Sequence, residues 1–444
     1  MTHIAIVGAG VTGVTTADAL LERGYRVTVF DRHRYPAMET SFANGGQLSA
    51  SNAEVWNSAS TVLKGLRWML KSNAPLLMNP SPSWHKYSWM AEFVRNIPNY
   101  RDNTIATTRM AIEARKQLFA IAEREDISFD LERRGILHIY HDKHGFDAGL
   151  RVNALLQEGG LERFPVTADE IRNIEPALRG NYYGGFFTPS DATGDIYKFT
   201  RGLAAACARR GARFIHDADV IGIDQSGPGH DVRWSSISAD GDTSPAGEHA
   251  LPFDAVMICA GTASRRLAAM LGDHVNVYPV KGYSITVHLK SPESQDSTPK
   301  VSLLDESAKI VTSRLGQDRF RVAGTAEFNG FNRDIRADRI KPLLDWTRRN
   351  FQAIDTSNTV PWSGLRPMMP NMMPFVRAGR RPGIFYNTGH GHLGWTLSAA
   401  TARMVADIVD AAGISRSLTV NPGLPPANNL GSIIESRRNV RAEA

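Results

Sequence analysis

The chain has 444 residues, 42% of them hydrophobic and 22% charged, with two cysteines. That composition excludes collagenous, disordered and disulfide-stapled classes and leaves material for two to three domains. Lys+Arg at 51 against Asp+Glu at 45 give a net charge of +6, too small an excess over this length to argue for nucleic acid.

The first thirty residues are the most informative. Residues 4–7 read as a buried strand, residues 8–13 as a turn, 13–23 as a helix and 25–30 as a second strand that ends at Asp31. This βαβ unit carries GxGxxG as Gly8, Gly10 and Gly13, with an acid 18 residues after the last glycine. Gly8 permits the tight turn, Gly10 a close backbone approach to a pyrophosphate, and Gly13 close packing of helix on strand. The helix N-terminus faces the phosphates, and Asp31 is placed to accept from ribose hydroxyls while repelling a 2′-phosphate.

After Asp31 a simple NAD domain would complete its sheet, but this chain departs. A small, polar loop at 39–48 is followed by a mainly helical stretch to about residue 130, in which Ala111, Ala114, Leu118 and Ile121 mark one helix face. Residues 135–141 read as a strand, 189–200 as a turn leading into a helix at 201–210, 212–223 as a strand pair, and 253–260 as a strand closing at Gly261. Alternating strands and a helix near 342–352 fill 277–358. Residues 384–388 form the last strand. The glycine turn 389–394 then opens a helix with apolar positions Leu397, Ala400, Met404 and Ile408, and the end of the chain reads as a peripheral tail. Cys207 and Cys259 lie in apolar settings without CxxC, as buried, reduced thiols do. No metal motif is present. Nothing approaches the ~18 apolar residues of a membrane span, and a cytoplasmic location is expected.

The second glycine turn changes the reading. NAD needs one helix terminus for its pyrophosphate, whereas FAD also gains negative charge at its pyrimidine end on reduction, which a second helix N-terminus would stabilise. FAD is the expected cofactor. Its fold class is α/β and α+β, a Rossmann-type FAD-binding domain (1–55, 186–276 and 360–424) interleaved with a mixed-sheet substrate-binding domain (56–185 and 277–359), with 425–444 as the tail.

Eight segments together carry a resemblance: VGAGVTGVTTADALLERGYRVTVFDR at 7–32, TSFANGGQLS at 40–49, DATGDIYKFT at 191–200, ICAGTAS at 258–264, YPVKGYSITV at 278–287, VAGTAEFNGFN at 322–332, WSGLRPMMPNMMPFV at 362–376 and NTGHGHLGWTLS at 387–398. The chain resembles the small-subunit type of D-amino acid dehydrogenases, within the FAD-dependent amine and amino-acid oxidoreductases that include glycine oxidase and sarcosine oxidase. The resemblance implies that Arg32, Thr40 and Ser41 lie near the cofactor's ribose and diphosphate, and that Gly45, Gly46 and Gln47 pass beside the isoalloxazine. It sets the backbone of Val220 against the adenine, adds Gly261 to the cofactor site, and gives the pyrimidine end to Gly389, His390, Gly391, His392, Leu393, Gly394 and Thr396. His392 stands where glycine oxidase has an arginine. Arg366, in GLRP, matches the residue that holds a substrate carboxylate, and an internal salt bridge is its alternative. Tyr283 reads equally as a residue over the substrate or a core aromatic.

The implied activity is oxidative deamination of an amino acid, most of all a D-amino acid, giving a 2-oxo acid and ammonia and passing electrons to a quinone or another acceptor. A secondary amino acid of the sarcosine, proline or hydroxyproline type is the alternative substrate. Trp56, Trp68, Trp84 and Trp89, with Lys64, Arg67, Lys71, Lys86 and Arg95, give the 56–95 segment two readings: a peripheral contact with the inner face of the cell membrane, or helices packed on the substrate domain.

Overall fold

The computed structural model describes residues 1–68, 75–237 and 246–414, with only the backbone described at 64, 66–68 and 246. The tail, Lys71 and the side chains of Lys64, Arg67 and Trp68 therefore lie outside the described residues.

The apolar run at the N-terminus forms β1 (His3–Val7), with Ile4, Ala5 and Ile6 fully buried because both faces of its sheet are covered. It pairs in parallel with β2 (Arg26–Phe30) and β13 (Ala255–Ile258); the sheet continues to β9 (Arg213–Ile215) on one side and to β20 (Ile384–Thr388) and antiparallel β19 (Phe375–Ala378) on the other. Helices Val11–Glu22, Ile196–Arg209 and Gly394–Ala411 cover one face. The other face meets helix Ser264–Met270 and a three-stranded antiparallel sheet of β10 (Ala218–Ser226), β11 (Gly229–Ser236) and β12 (Ala246–Phe253). This is a Rossmann-type sheet assembled from distant parts of the chain.

The second sheet runs β18 (Thr359–Met368), β14 (Tyr278–His288), β17 (Arg319–Phe328), β16 (Ile310–Leu315), β15 (Ser302–Asp305), β5 (Ile136–Tyr140), β7 (Gly184–Thr188), β6 (Phe164–Val166), with β4 (Leu76–Met78) pairing the end of β17. Helix Ala337–Asn350 buries Ile340, Leu343 and Trp346 against one face. The opposite face holds the 43–47 loop: Ser284 Oγ donates to the Ala43 carbonyl at 3.0 Å and Ser313 Oγ to that of Gly45 at 2.6 Å. A two-residue pairing of β3 (Gln47–Leu48) with β8 (Ala192–Thr193) and a bridge between Met368 and His390 tie the two sheets together.

Several boundaries differ from the sequence expectation. By pairing, 184–188 and 359–368 go with the nine-stranded sheet, not with the Rossmann-type segments that start at 186 and 360. The helix expected at 201–210 begins at Ile196, because the Asp195 carboxylate accepts the N–H groups of Tyr197 and Lys198 as an N-cap. Helix Ala337–Asn350 starts before Pro342, which sits within it. On the last helix Met404 is exposed, and Val405 and Val409 take the buried positions instead.

Candidate active site

Between the two sheets lies a cavity of about 1280 Å³, above the 300–1,000 Å³ typical of a drug-sized ligand. Of the residues singled out from the sequence for cofactor or substrate, all but Gly13 border it. Gly13 lies beneath: a β-carbon there would overlap the Gly8 carbonyl oxygen, so the glycine lets the Val11–Glu22 helix sit on the turn. Gly8 has φ +109°, and a side chain on it would strike the Cys259 carbonyl oxygen at 2.5 Å.

At this end Asp31 is committed to the turn itself. Its two carboxylate oxygens accept the N–H of Ala9 at 2.6 Å and of His33 at 2.8 Å, and burial pushes its pKa up against those bonds. Two carboxylate oxygens carry more lone pairs than these two donors use, so capacity for a ribose diol remains. Ser41 Oγ accepts the Val11 N–H at 3.0 Å, capping the helix whose side-chain N-cap is missing at Gly10. Thr40 donates instead to the Leu365 carbonyl at 2.8 Å, which ties this loop to β18. Arg32 pairs with Glu39, and the Val220 carbonyl accepts from Arg266 at 3.1 Å. Gln47 turns its amide away, donating to Ser302 Oγ at 2.8 Å and the Leu303 carbonyl at 3.1 Å.

The second turn brings Gly389, with φ +74°, and Gly391, with φ +59°, into the left-handed region just before the Gly394–Ala411 helix. Thr396 Oγ1 accepts the Ser49 N–H at 3.2 Å, joining this helix to the loop that follows β3. His390 bonds Thr401 Oγ1 at 2.9 Å, and burial lowers its pKa to about 3, so the ring is neutral. His392 stacks on Trp56 with ring centroids 4.8 Å apart. Its Nε2 lies 3.3 Å from the Asn52 carbonyl, and burial, helped by the nearby Arg366 charge, lowers its pKa to about 4.

Arg366 stands on β18 with its guanidinium over Gly282 of β14. Nη1 donates to the Thr325 carbonyl at 3.1 Å, and among the described residues no carboxylate lies within ion-pair distance. Burial lowers its pKa to about 10, so it remains a cation. Thr325 is itself a β-branched residue at φ +58°, an uncommon conformation of the kind concentrated at ligand sites. Thr325 Oγ1 and His392 Nδ1 are buried without a hydrogen-bond partner among the described residues, leaving polar atoms for a bound group.

Tyr283 requires a correction. Its ring belongs with Ile285, Val287 and Leu343 on the helix side of the sheet, and its hydroxyl donates to Glu327 at 2.6 Å. Strand alternation explains this, since neighbouring Gly282 and Ser284 take the cavity face. At 1% exposure Tyr283 is packed as a core aromatic, meeting the cavity wall without turning its hydroxyl into it.

Sequence reasoning also missed a buried chain. Ser49 Oγ lies 3.1 Å from Ser51 Oγ, Ser51 Oγ 2.9 Å from His138 Nε2, and His138 Nδ1 2.9 Å from Glu306, which pairs with Lys309 at 2.5 Å. The one local signal was His138 standing alone in an apolar strand. Among the described residues, no three His, Cys, Asp or Glu side chains come together as metal ligands.

Residues 3–408 match the family model described as FAD dependent oxidoreductase. The chain belongs to the FAD-dependent oxidoreductase family. Within this family it is 62% identical over 409 residues to D-amino acid dehydrogenase 3 of Mesorhizobium japonicum, covering 92% of this chain and 97% of that protein. It is 37% identical over 420 residues to D-amino acid dehydrogenase of Paramagnetospirillum magneticum, covering 91% and 94%. Among solved structures, the fold is shared with glycine oxidase from Bacillus cereus at a TM-score of 0.68 and 20% identity, over 95% of this chain and all of that one. L-proline dehydrogenase from P. horikoshii has the same fold at a TM-score of 0.68 and 15% identity, over 94% of each chain. The family's cofactor suits the cavity: two glycine turns, each leading into a helix N-terminus, line it, with no side chain at Gly8 and Gly10 and Asp31 just past the end of β2.

Proposed function

We propose that this enzyme oxidatively deaminates D-amino acids, as the names of its relatives suggest, and that Arg366 clamps the substrate carboxylate. The supporting observation is the Arg366 cation itself, on the cavity wall with a backbone carbonyl as its hydrogen-bond partner and, among the described residues, no carboxylate within ion-pair distance. A planar guanidinium of this kind binds a carboxylate in two parallel bonds and so fixes Cα in orientation as well as place.

In this reading Gly8, Gly10 and Ser41 would hold the pyrophosphate of FAD, Asp31 its ribose, the Val220 backbone its adenine, and residues 45–47 and 389–396 its isoalloxazine. When bound, FAD supplies the hydride acceptor for the substrate's Cα–H bond. The chain does the rest. Arg366 holds the substrate, the start of the Gly394–Ala411 helix presents its positive end to charge on the pyrimidine edge, and neutral His390 and His392 add no fixed charge there. The reacting amine is uncharged, having lost its proton to water, and the imino acid hydrolyses to a 2-oxo acid and ammonia. In this reading the FAD-binding part spans 1–55, 189–276 and 369–414 and the substrate-binding part 56–188 and 277–368, a division supported by the pairing of 184–188 and 359–368 within the second sheet.

A quinone is the acceptor this reading favours, at a cytoplasmic site, with a limited membrane contact as its route. Trp84 is 82% exposed on helix Trp84–Arg95, with Tyr87, Val94 and Leu63 also exposed. Three of the other expected contributors are held by the fold, while Arg95 stays exposed: Trp89 Nε1 donates to the Met368 carbonyl, Trp56 stacks on His392, and buried Lys86 donates to the carbonyls of Asn79 and Ser81. No helix among the described residues is long and apolar enough to cross a membrane.

The test is spectroscopic. Purified protein should show flavin absorption, and anaerobic addition of D-amino acids should bleach it while L-amino acids do not. Bleaching by sarcosine or proline alone would move the assignment to secondary amines, and a colourless protein that takes up no FAD would overturn it.

A further inference from the structure

The cavity is divided by polarity around Arg366. Across the sheet, in the turn between β15 and β16, stand Glu306 and Lys309. Along β17 in the other direction the wall is apolar: Phe328 and, paired beside it on β4, Leu76 and Met78, closed over by Trp56 and Met90. Arg366 itself sits on this boundary, since Val280, its cross-strand partner, and Met368, two residues on, belong to the same apolar cluster.

We propose that Leu76, Met78 and Phe328 form the substrate side-chain subsite, and that the enzyme selects amino acids with bulky apolar side chains. This rests on Arg366 holding the substrate carboxylate. With the carboxylate clamped and the Cα–H bond aimed at the flavin, two substituents remain, the amine and the side chain. Inverting Cα exchanges them. One enantiomer then lays its side chain on the apolar wall, whereas the other must press a polar nitrogen against Leu76 and Met78, at the cost of an unpartnered polar group. The same wall that rewards an apolar side chain therefore enforces configuration, and it does so most strongly for large side chains. A small side chain leaves that surface unfilled and gains little from it.

The experiment compares kcat/KM of the FAD-loaded enzyme for D-phenylalanine, D-methionine and D-leucine with D-alanine and D-glutamate. The expected advantage of the apolar set is on the order of 10-fold or more. Calorimetric titration with phenylacetate, acetate and succinate gives a readout independent of turnover: phenylacetate should bind on the order of 10-fold tighter than either, and Arg366→Ala should abolish that binding. Met78→Lys should collapse the D-phenylalanine to D-glutamate ratio by at least that factor, and Leu76→Ala should lower the D-phenylalanine to D-alanine ratio. A preference for D-alanine or D-glutamate, or tighter binding of succinate, would overturn the proposal. So would a Met78→Lys effect confined to the KM of a water-soluble quinone, which would make the wall an acceptor entrance. If no amino acid bleaches the flavin, the carboxylate-clamp reading itself has failed, an outcome distinct from a reordered substrate preference.

Discussion

Gly282 and Arg366 are fitted to one another: a β-carbon built on Gly282 would fall 2.5 Å from Arg366 Nη1, so the absence of a side chain on β14 is what lets the guanidinium lie flat on the sheet. Gly364 does the same for Trp362, whose indole Cζ2 a β-carbon would meet at 2.6 Å. Both glycines sit at normal negative φ and are required for space. Gly282→Ala should therefore displace the guanidinium and raise KM for amino acids by roughly 10-fold or more, a misplacement effect. Steady-state kinetics, together with an unchanged far-ultraviolet circular dichroism spectrum, checks it.

Arg366 should trade stability for function. A buried cation without a counter-charge costs free energy in the empty protein. Arg366→Met should lower kcat/KM by about 2–5 kcal/mol in transition-state terms, while raising unfolding stability by about 1–2 kcal/mol. Chemical denaturation of the two proteins, set beside kinetics, reads both. A variant that lost activity and stability together would show the arginine to be a structural member.

Tyr283→Phe separates the two positions argued for this ring. With the hydroxyl on Glu327 and the ring in the helix-side core, its loss should cost about 1–2 kcal/mol of stability. KM for amino acids should stay within twofold, because Glu327 keeps Lys281 at 3.5 Å. A large rise in KM at unchanged stability would return Tyr283 to the substrate.

What could be read in the sequence follows from how local its physics is. The turn at Gly8, Gly10 and Gly13 and the turn at 389–394 were legible because each packs its whole requirement into one strand-to-helix passage. Tyr283 was not, because whether a β14 residue faces helix or cavity depends on register against β17, which shifts between Lys281 and Tyr283. The Ser51–His138–Glu306 chain joins residues 87 and 168 positions apart, and no spacing rule connects them. The interleaving was visible in the element order, but its boundaries were not, since only pairing with β14 and β5 assigns 359–368 and 184–188 to the second sheet.

Buried neutral histidines should make the protein acid-labile in a defined window. His138 and His392 have pKa values lowered from 6.5 to about 4, and His390 to about 3, burial being the main cause in each. A histidine whose folded pKa lies below its unfolded value binds fewer protons in the folded state, so stability is full above about pH 6.5 and falls as pH drops from there to the folded pKa. Each fully buried ring can contribute on the order of 3 kcal/mol to that loss. Glu306 acts in a lower range: Lys309 and His138 hold its carboxyl well below the usual carboxylate range, so its stabilisation is present above its ordinary pKa of 4.5 and is lost only below that. The denaturation midpoint should therefore fall steeply between pH 6.5 and 4, before carboxylates protonate. His390→Gln, which can still hydrogen-bond toward Thr401, should flatten that slope by about one proton's worth. An equal slope in the variant would show that His390 titrates normally and that its ring is reached by solvent in the folded protein.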